Sequence, residues 1–75
     1  MIVVTGAAGF IGSRLIRKLN NENFNYIVAV DKFDNPLKNK NLEGLNILEH
    51  VDRGVFMPWV DINLEEIEFF FHIVA

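Results

Sequence analysis

Thr5-Gly6-Ala7-Ala8-Gly9-Phe10-Ile11-Gly12 decides how this chain of 75 residues folds. It lies between the β-branched run Ile2-Val3-Val4 and a stretch whose apolar residues recur at helical spacing. The first run is apolar throughout, as a strand buried on both faces of a parallel sheet must be. From Phe10 onward, Ile11, Leu15, Ile16 and Leu19 share one helix face, with Ile11 expected to pack inward. Arg14, Arg17 and Lys18 lie away from that face, and the last two stand where cations suit the helix dipole. Asn20, Asn21 and Asn23 close the helix. Tyr26-Ile27-Val28-Ala29-Val30 is a second β-rich run, ended by Asp31. Strand, helix and strand within about thirty residues make a βαβ unit. Its right-handed crossover sets both strands side by side in one parallel sheet.

Beyond Asp31 the pattern is less regular. Lys32 to Asn41 is polar and interrupted by Pro36, which predicts a loop. Leu42 to Glu49, around Gly44, reads as a turn and a short extended piece. Val51 to Glu66 reads as a helix with Asp52 as its cap. That helix is either broken near Met57 or begins at Pro58, since an interior proline costs ~3 kcal/mol or more. Ile67 to Val74, with Phe69, Phe70 and Phe71, is a third strand whose apolar side chains need cover.

Composition narrows the function classes. Seven Lys plus Arg against ten Asp plus Glu give a net charge of -3, too little basic surface to grip nucleic-acid backbone. The absence of cysteine removes disulfides, thiolate nucleophiles and zinc-thiolate sites, and fits a reducing cytoplasm. His50 and His72 fall on separate elements without metal-ligand spacing. No charged leader precedes Val4, and the apolar run from Phe69 to Ala75 is far shorter than the ~20 residues of a membrane span. The expectation is a soluble, cytoplasmic protein with no membrane partner.

Gly6, Gly9 and Gly12 recur at intervals of three across the strand-to-helix junction. In a dinucleotide-binding turn one glycine allows the sharp turn, one lets backbone approach a pyrophosphate, and one lets helix and strand pack closely. The helix then aims free N–H groups and its positive dipole end at the phosphates. A lone glycine pattern is weak, but this one follows a strand, opens a helix and sits in a βαβ unit. Asp31, nineteen residues past Gly12, matches the carboxylate that accepts hydrogen bonds from the adenosine ribose. The competing reading is a tight turn in another α/β protein, with Asp31 a solvated strand end. A phosphate-loop NTPase is excluded, because Gly12 is followed by Ser13 and Arg14 and no Gly-Lys pair exists. Asp31 favours NAD, whereas Lys32, Lys38 and Arg53 are able to neutralise the 2′-phosphate of NADP, so these residues alone leave the choice open. The fold class expected is α/β, a partial Rossmann-like parallel sheet of about three strands with flanking helices.

Met1 to Ser13, with Leu19-Asn20, Val30-Asp31, Lys38, Asn41-Leu42, Asp52-Arg53 and Phe71-His72-Ile73, resembles the extended short-chain dehydrogenase/reductases of the nucleotide-sugar epimerase and dehydratase group. The resemblance runs nearly the whole chain but covers only the opening part of such an enzyme. It implies that residues 1–75 are the N-terminal part of a dinucleotide-binding domain, with the substrate domain absent. Gly6, Gly9, Gly12, Phe10 and Ile11 would line the pyrophosphate, and Asp31 and Lys32 the ribose. Lys38 and Arg53 would face a 2′-phosphate, which tips the cofactor to NADP with NAD as the alternative. Residues from His72 to Ala75 would pass beneath the nicotinamide half. The implied chemistry is inversion of a sugar carbon by transient oxidation, with ADP-heptose as a substrate of the full-length parent only and its product used in lipopolysaccharide inner-core synthesis.

Two features depart from the group. Val74 stands where it has glycine, and a β-branched side chain there would crowd the ligand. The group's proton transfer also needs a Tyr-x-x-x-Lys pair, and the single tyrosine, Tyr26, opens a strand, so no catalytic residue is assigned. The chain alone is therefore expected to be inactive. Rival readings are a stand-alone nucleotide-binding or sensor module, and a truncated remnant that self-associates through its uncovered apolar strands.

Overall fold

In the computed structural model, which describes residues 1–73, four strands form one parallel sheet. Strand β1 (Ile2–Thr5) leads through the glycine turn into helix α1 (Phe10–Asn21), and β2 (Ile27–Asp31) follows. A short helix α2 (Pro36–Asn39), strand β3 (Glu49–Asp52), helix α3 (Phe56–Asn63) and strand β4 (Phe69–His72) complete the chain. The order across the sheet is β3-β2-β1-β4, with Thr5 in register with Val30 and His72, and Asp31 in register with Asp52. All four C-terminal strand ends therefore meet along one edge.

The two central strands, β1 and β2, are buried along their whole length, as their unbroken apolar runs require. One face packs Val4, Ala29 and Ile2 against the fully buried Ile16 of α1 and against Leu42, with Leu15 and Leu19 half-buried beside them. The other packs Val3, Val28, Val30 and Val51 beneath Phe56 and Trp59 of α3. The inward face of α1 is thus Gly12, Ser13 and Ile16, and Ile11, expected inside, is 64% exposed. The reason is that Gly12 sits against the backbone of Gly6 and Ala7 just beyond β1, which turns the preceding residue outward.

Three further expectations are corrected. The sheet has a fourth strand, β3, which carries only one buried residue, Val51, because it lies at the edge. Its sequence Glu49-His50-Val51-Asp52 therefore has no apolar run to announce it. The predicted loop Lys32 to Asn41 contains α2, started by Pro36 at its first position and by Asn35, whose side chain accepts from the Leu37 and Lys38 N–H groups. Asp52 caps a 3₁₀ turn over Arg53–Val55 by accepting from Gly54 N–H at 2.7 Å, and α3 begins at Phe56 rather than at Pro58. Pro58 still sits in the first turn, where its missing N–H removes no intrahelical bond.

Strand β4 is the other edge, and its Phe69 and Phe70 are exposed. Among the described residues no helix is long and apolar enough to cross a membrane.

At the N-terminal ends of β1 and β4 the Met1 amino group donates to the Glu68 carboxylate at 2.7 Å. That hydrogen bond, and then the positive charge, holds the Glu68 carboxyl below its usual range. A lowered pKa stabilises the fold fully above the ordinary carboxylate value and ceases to do so as pH falls through the lowered one. Glu68→Gln should therefore lower the unfolding midpoint at about pH 6, with the gap to wild type closing by about pH 3. Urea unfolding followed by circular dichroism at both pH values checks this, and a gap that persists in acid would contradict it.

Candidate functional site at the glycine turn

The turn is built from three glycines that differ in what surrounds them. Gly6 has φ +63, a conformation that other residues rarely adopt, and a Cβ there would run into the Ile73 carbonyl of the chain beyond β4. Gly12 sits against the Gly6 carbonyl, and any Cβ on it would overlap that oxygen and the Ala7 Cα. Gly9 is different. Its Cβ direction meets only the Gly6 oxygen at 3.4 Å and the Lys38 Cε at 3.9 Å, ordinary contact distances. Two glycines are therefore consumed by internal packing, and the third leaves room at the mouth of the turn.

Gly9 is the N-cap of α1, and no side chain caps the helix. No acidic residue occupies the first turn. The N–H groups there, which have no intrahelical partners, face outward with the positive end of the helix dipole. A helix N-terminus of this kind is suited to an anion.

Asp31, at the C-terminal end of β2, is only 4% exposed. Its Oδ2 accepts from Ala8 N–H at 2.9 Å, and its Oδ1 accepts from Lys32 N–H at 2.7 Å and from Lys38 Nζ at 3.2 Å. The carboxylate thus ties the turn to the second strand while a cation balances its charge. From the other side, Asn41 Nδ2 donates to the Ala8 carbonyl at 2.9 Å.

Along the same edge Thr5 Oγ1 accepts from Ile73 N–H at 3.2 Å and lies 2.8 Å from His72 Nδ1. These groups open onto a cleft of about 520 Å³ above the strand ends, walled on one side by Phe56, Met57 and Phe70.

Of the residues singled out in the sequence, Gly6, Asp31, Lys38, Arg53 and His72 line this cleft together. Gly9 adjoins it through Lys38, and Gly12 lies within the packing of the turn. Phe10 and Ile11 present exposed side chains outside it, with the Arg14 guanidinium 5.1 Å above the Phe10 ring, so only their backbone belongs to the turn. Lys32 pairs with Asp34 at 3.6 Å on the surface and does not line the cleft. Val74 and Ala75 lie outside the described residues. Sequence reasoning missed Thr5, Asn41, Phe56, Met57 and Phe70. Thr5 carried a signal in its position directly before Gly6, and Asn41 in its place among the residues that resemble the epimerase group.

The profile of the NAD dependent epimerase/dehydratase family matches residues 2–74. ADP-L-glycero-D-manno-heptose-6-epimerase of Brachyspira hyodysenteriae is 37% identical over 75 residues, which is 96% of this chain and 24% of that protein. The chain thus spans about a quarter of the length of this curated relative.

Because a Cβ at Gly12 would overlap backbone and one at Gly9 would make only ordinary contacts, their alanine variants should separate. Gly12→Ala should destabilise by about 1–3 kcal/mol or more, and Gly9→Ala by less than about 1 kcal/mol. Urea denaturation of both variants tests the ranking, which equal losses would overturn.

Proposed function

The chain belongs to the NAD dependent epimerase/dehydratase family, and from that premise we propose that it is the N-terminal, cofactor-holding part of a nucleotide-sugar epimerase acting on ADP-heptose with NADP. The family implies a nicotinamide dinucleotide. When bound, that group supplies the hydride acceptor and donor for transient oxidation of a sugar carbon.

The observation that carries the proposal is the meeting of Asp31, Lys38 and Arg53 at one cleft beside an uncapped helix N-terminus. The backbone of Gly9, Phe10 and Ile11 would hold the pyrophosphate. Asp31 retains one lone pair, on Oδ2, for a ribose hydroxyl beyond the three that accept from the chain itself. Lys38 neutralises Asp31 and, with Arg53, turns the mouth of the cleft from one that repels a 2′-phosphate into one that accepts it. Lys32 would add only its main chain to the ribose side. His72, held by Thr5, would lie beneath the nicotinamide half.

Proton transfer is assigned to no residue of this chain. Tyr26 precedes β2, at the end of the sheet opposite the cleft. A Tyr-x-x-x-Lys pair and the sugar-binding residues would come from the remainder of a full-length protein, so these 75 residues alone should bind cofactor without turning over sugar. We place the protein in the cytoplasm, in keeping with its cysteine-free sequence. A second reading, self-association of the 75-residue chain, is favoured by the exposed Phe69 and Phe70 on edge strand β4.

Calorimetric titration with NADPH, NADH and ADP-ribose, alongside light scattering, tests both. NADPH should bind more tightly than NADH, and Lys38→Ala should narrow that preference about tenfold, or about 1.4 kcal/mol. No binding of any dinucleotide would sink the proposal. Binding without turnover even in a longer protein would favour a sensor module.

A further inference from the structure

The three consecutive peptide groups of the glycine turn from Gly6 to Gly9 are each held by a different part of the chain. Ala7 N–H donates to the Val30 carbonyl at 3.2 Å, and Ala8 N–H donates to Asp31 Oδ2 at 2.9 Å. The third peptide, between Ala8 and Gly9, is held at both ends. Its N–H donates to the Gly6 carbonyl at 3.2 Å, and its carbonyl accepts from Asn41 Nδ2 at 2.9 Å. Asn41 itself belongs to the 3₁₀ turn Lys40–Leu42, which Leu42 anchors in the core beside α1.

That third peptide is the one able to turn over. Gly9 follows it, and glycine accepts backbone conformations on both sides of φ zero at little cost. Reversal would aim the Ala8 carbonyl, a partial negative charge, toward the mouth of the turn where an anion would sit. It would also withdraw the Gly9 N–H from its place in the turn. Asn41 opposes this by drawing the carbonyl toward the α1 side of the sheet, away from the cleft walled by Phe56, Met57 and Phe70.

We infer that Asn41 is a positioning residue for phosphate binding. It touches no ligand and acts by fixing the Ala8–Gly9 peptide in the orientation that leaves the turn free of inward carbonyls. The inference rests on the dinucleotide reading for its function and on the Asn41–Ala8 hydrogen bond for its geometry. Preorganised dipoles need no rearrangement when the charge arrives, which is why such a clamp affects affinity rather than fold.

Asn41→Ala in the 75-residue chain should weaken ADP-ribose and NADPH about tenfold, a loss of about 1.4 kcal/mol. Adenosine 2′-monophosphate, which lacks the pyrophosphate, should keep its affinity within about twofold. The Ala8 carbonyl carbon should shift in the NMR spectrum, and the Gly9 amide should exchange faster with solvent. Parallel losses for all three ligands would mark a merely structural role and overturn the inference, as would unchanged affinities. Should Asn41→Ala not fold, a scalar coupling across the hydrogen bond between Asn41 Nδ2 and the Ala8 carbonyl is expected in the wild type, and its absence overturns the inference. Wild-type protein that binds neither ADP-ribose nor NADPH defeats the dinucleotide reading, while the coupling and the Gly9 exchange rate still decide whether the clamp exists.

Discussion

The Asp31 carboxylate is the contact on which the site depends. It is buried at the end of β2, yet it accepts from the turn after β1, from its own following residue and from Lys38 of α2. A buried carboxylate left without such donors would carry a desolvation penalty of several kcal/mol. Here two N–H groups and an ammonium offset that penalty, and in return three separate stretches of backbone are held to one point. The same two oxygens thus serve the fold, Oδ1 accepting twice and Oδ2 once.

Parallel strand order concentrates these effects. Since β1, β2, β3 and β4 all run one way, their C-terminal ends deliver Thr5, Asp31, Asp52 and His72 to a single edge. The helices cover the faces and leave that edge open, and Gly6 must then turn sharply because the Ile73 carbonyl crosses directly beside it. Overlap with backbone at Gly6 and Gly12, and only ordinary contacts at Gly9, set the three glycines of one pattern apart.

How much of this was legible in the sequence follows from where each signal resides. The central strands announce themselves because burial on both faces demands unbroken runs such as Ile2-Val3-Val4. The glycines of the turn stand out because only glycine fits beside a carbonyl at Gly6 and Gly12. Edge strand β3 stayed hidden because a strand buried only at Val51 needs no pattern. Ile11 misled because helical periodicity does not reveal that Gly12 has already claimed the innermost position. Helix α2 was legible in principle, since Asn35-Pro36 is a cap followed by a first-position proline, but its four residues are too few to show a period. The site was half readable. Asp31 and Lys38 follow from spacing and charge, whereas Asn41 and the walls at Phe56 and Phe70 depend on contacts between elements distant in the chain.

The position of β1 in the sheet also governs the order of assembly. Its first partner, β2, is in register with it from Ile27 onward, whereas its second, β4, begins only at Phe69. The first pairing closes a short loop, and the second a loop more than twice as long, whose entropy must be met before any contact is formed. On a ribosome, β1 through β3 would leave the exit tunnel able to pair among themselves, while one flank of β1 waits for the phenylalanine strand. Gly6 and Thr5 acquire their neighbours His72 and Ile73 only at that last step. The edge at the C-terminal strand ends would thus be completed last, and a nascent chain halted before Phe69 would carry the glycine turn without its floor.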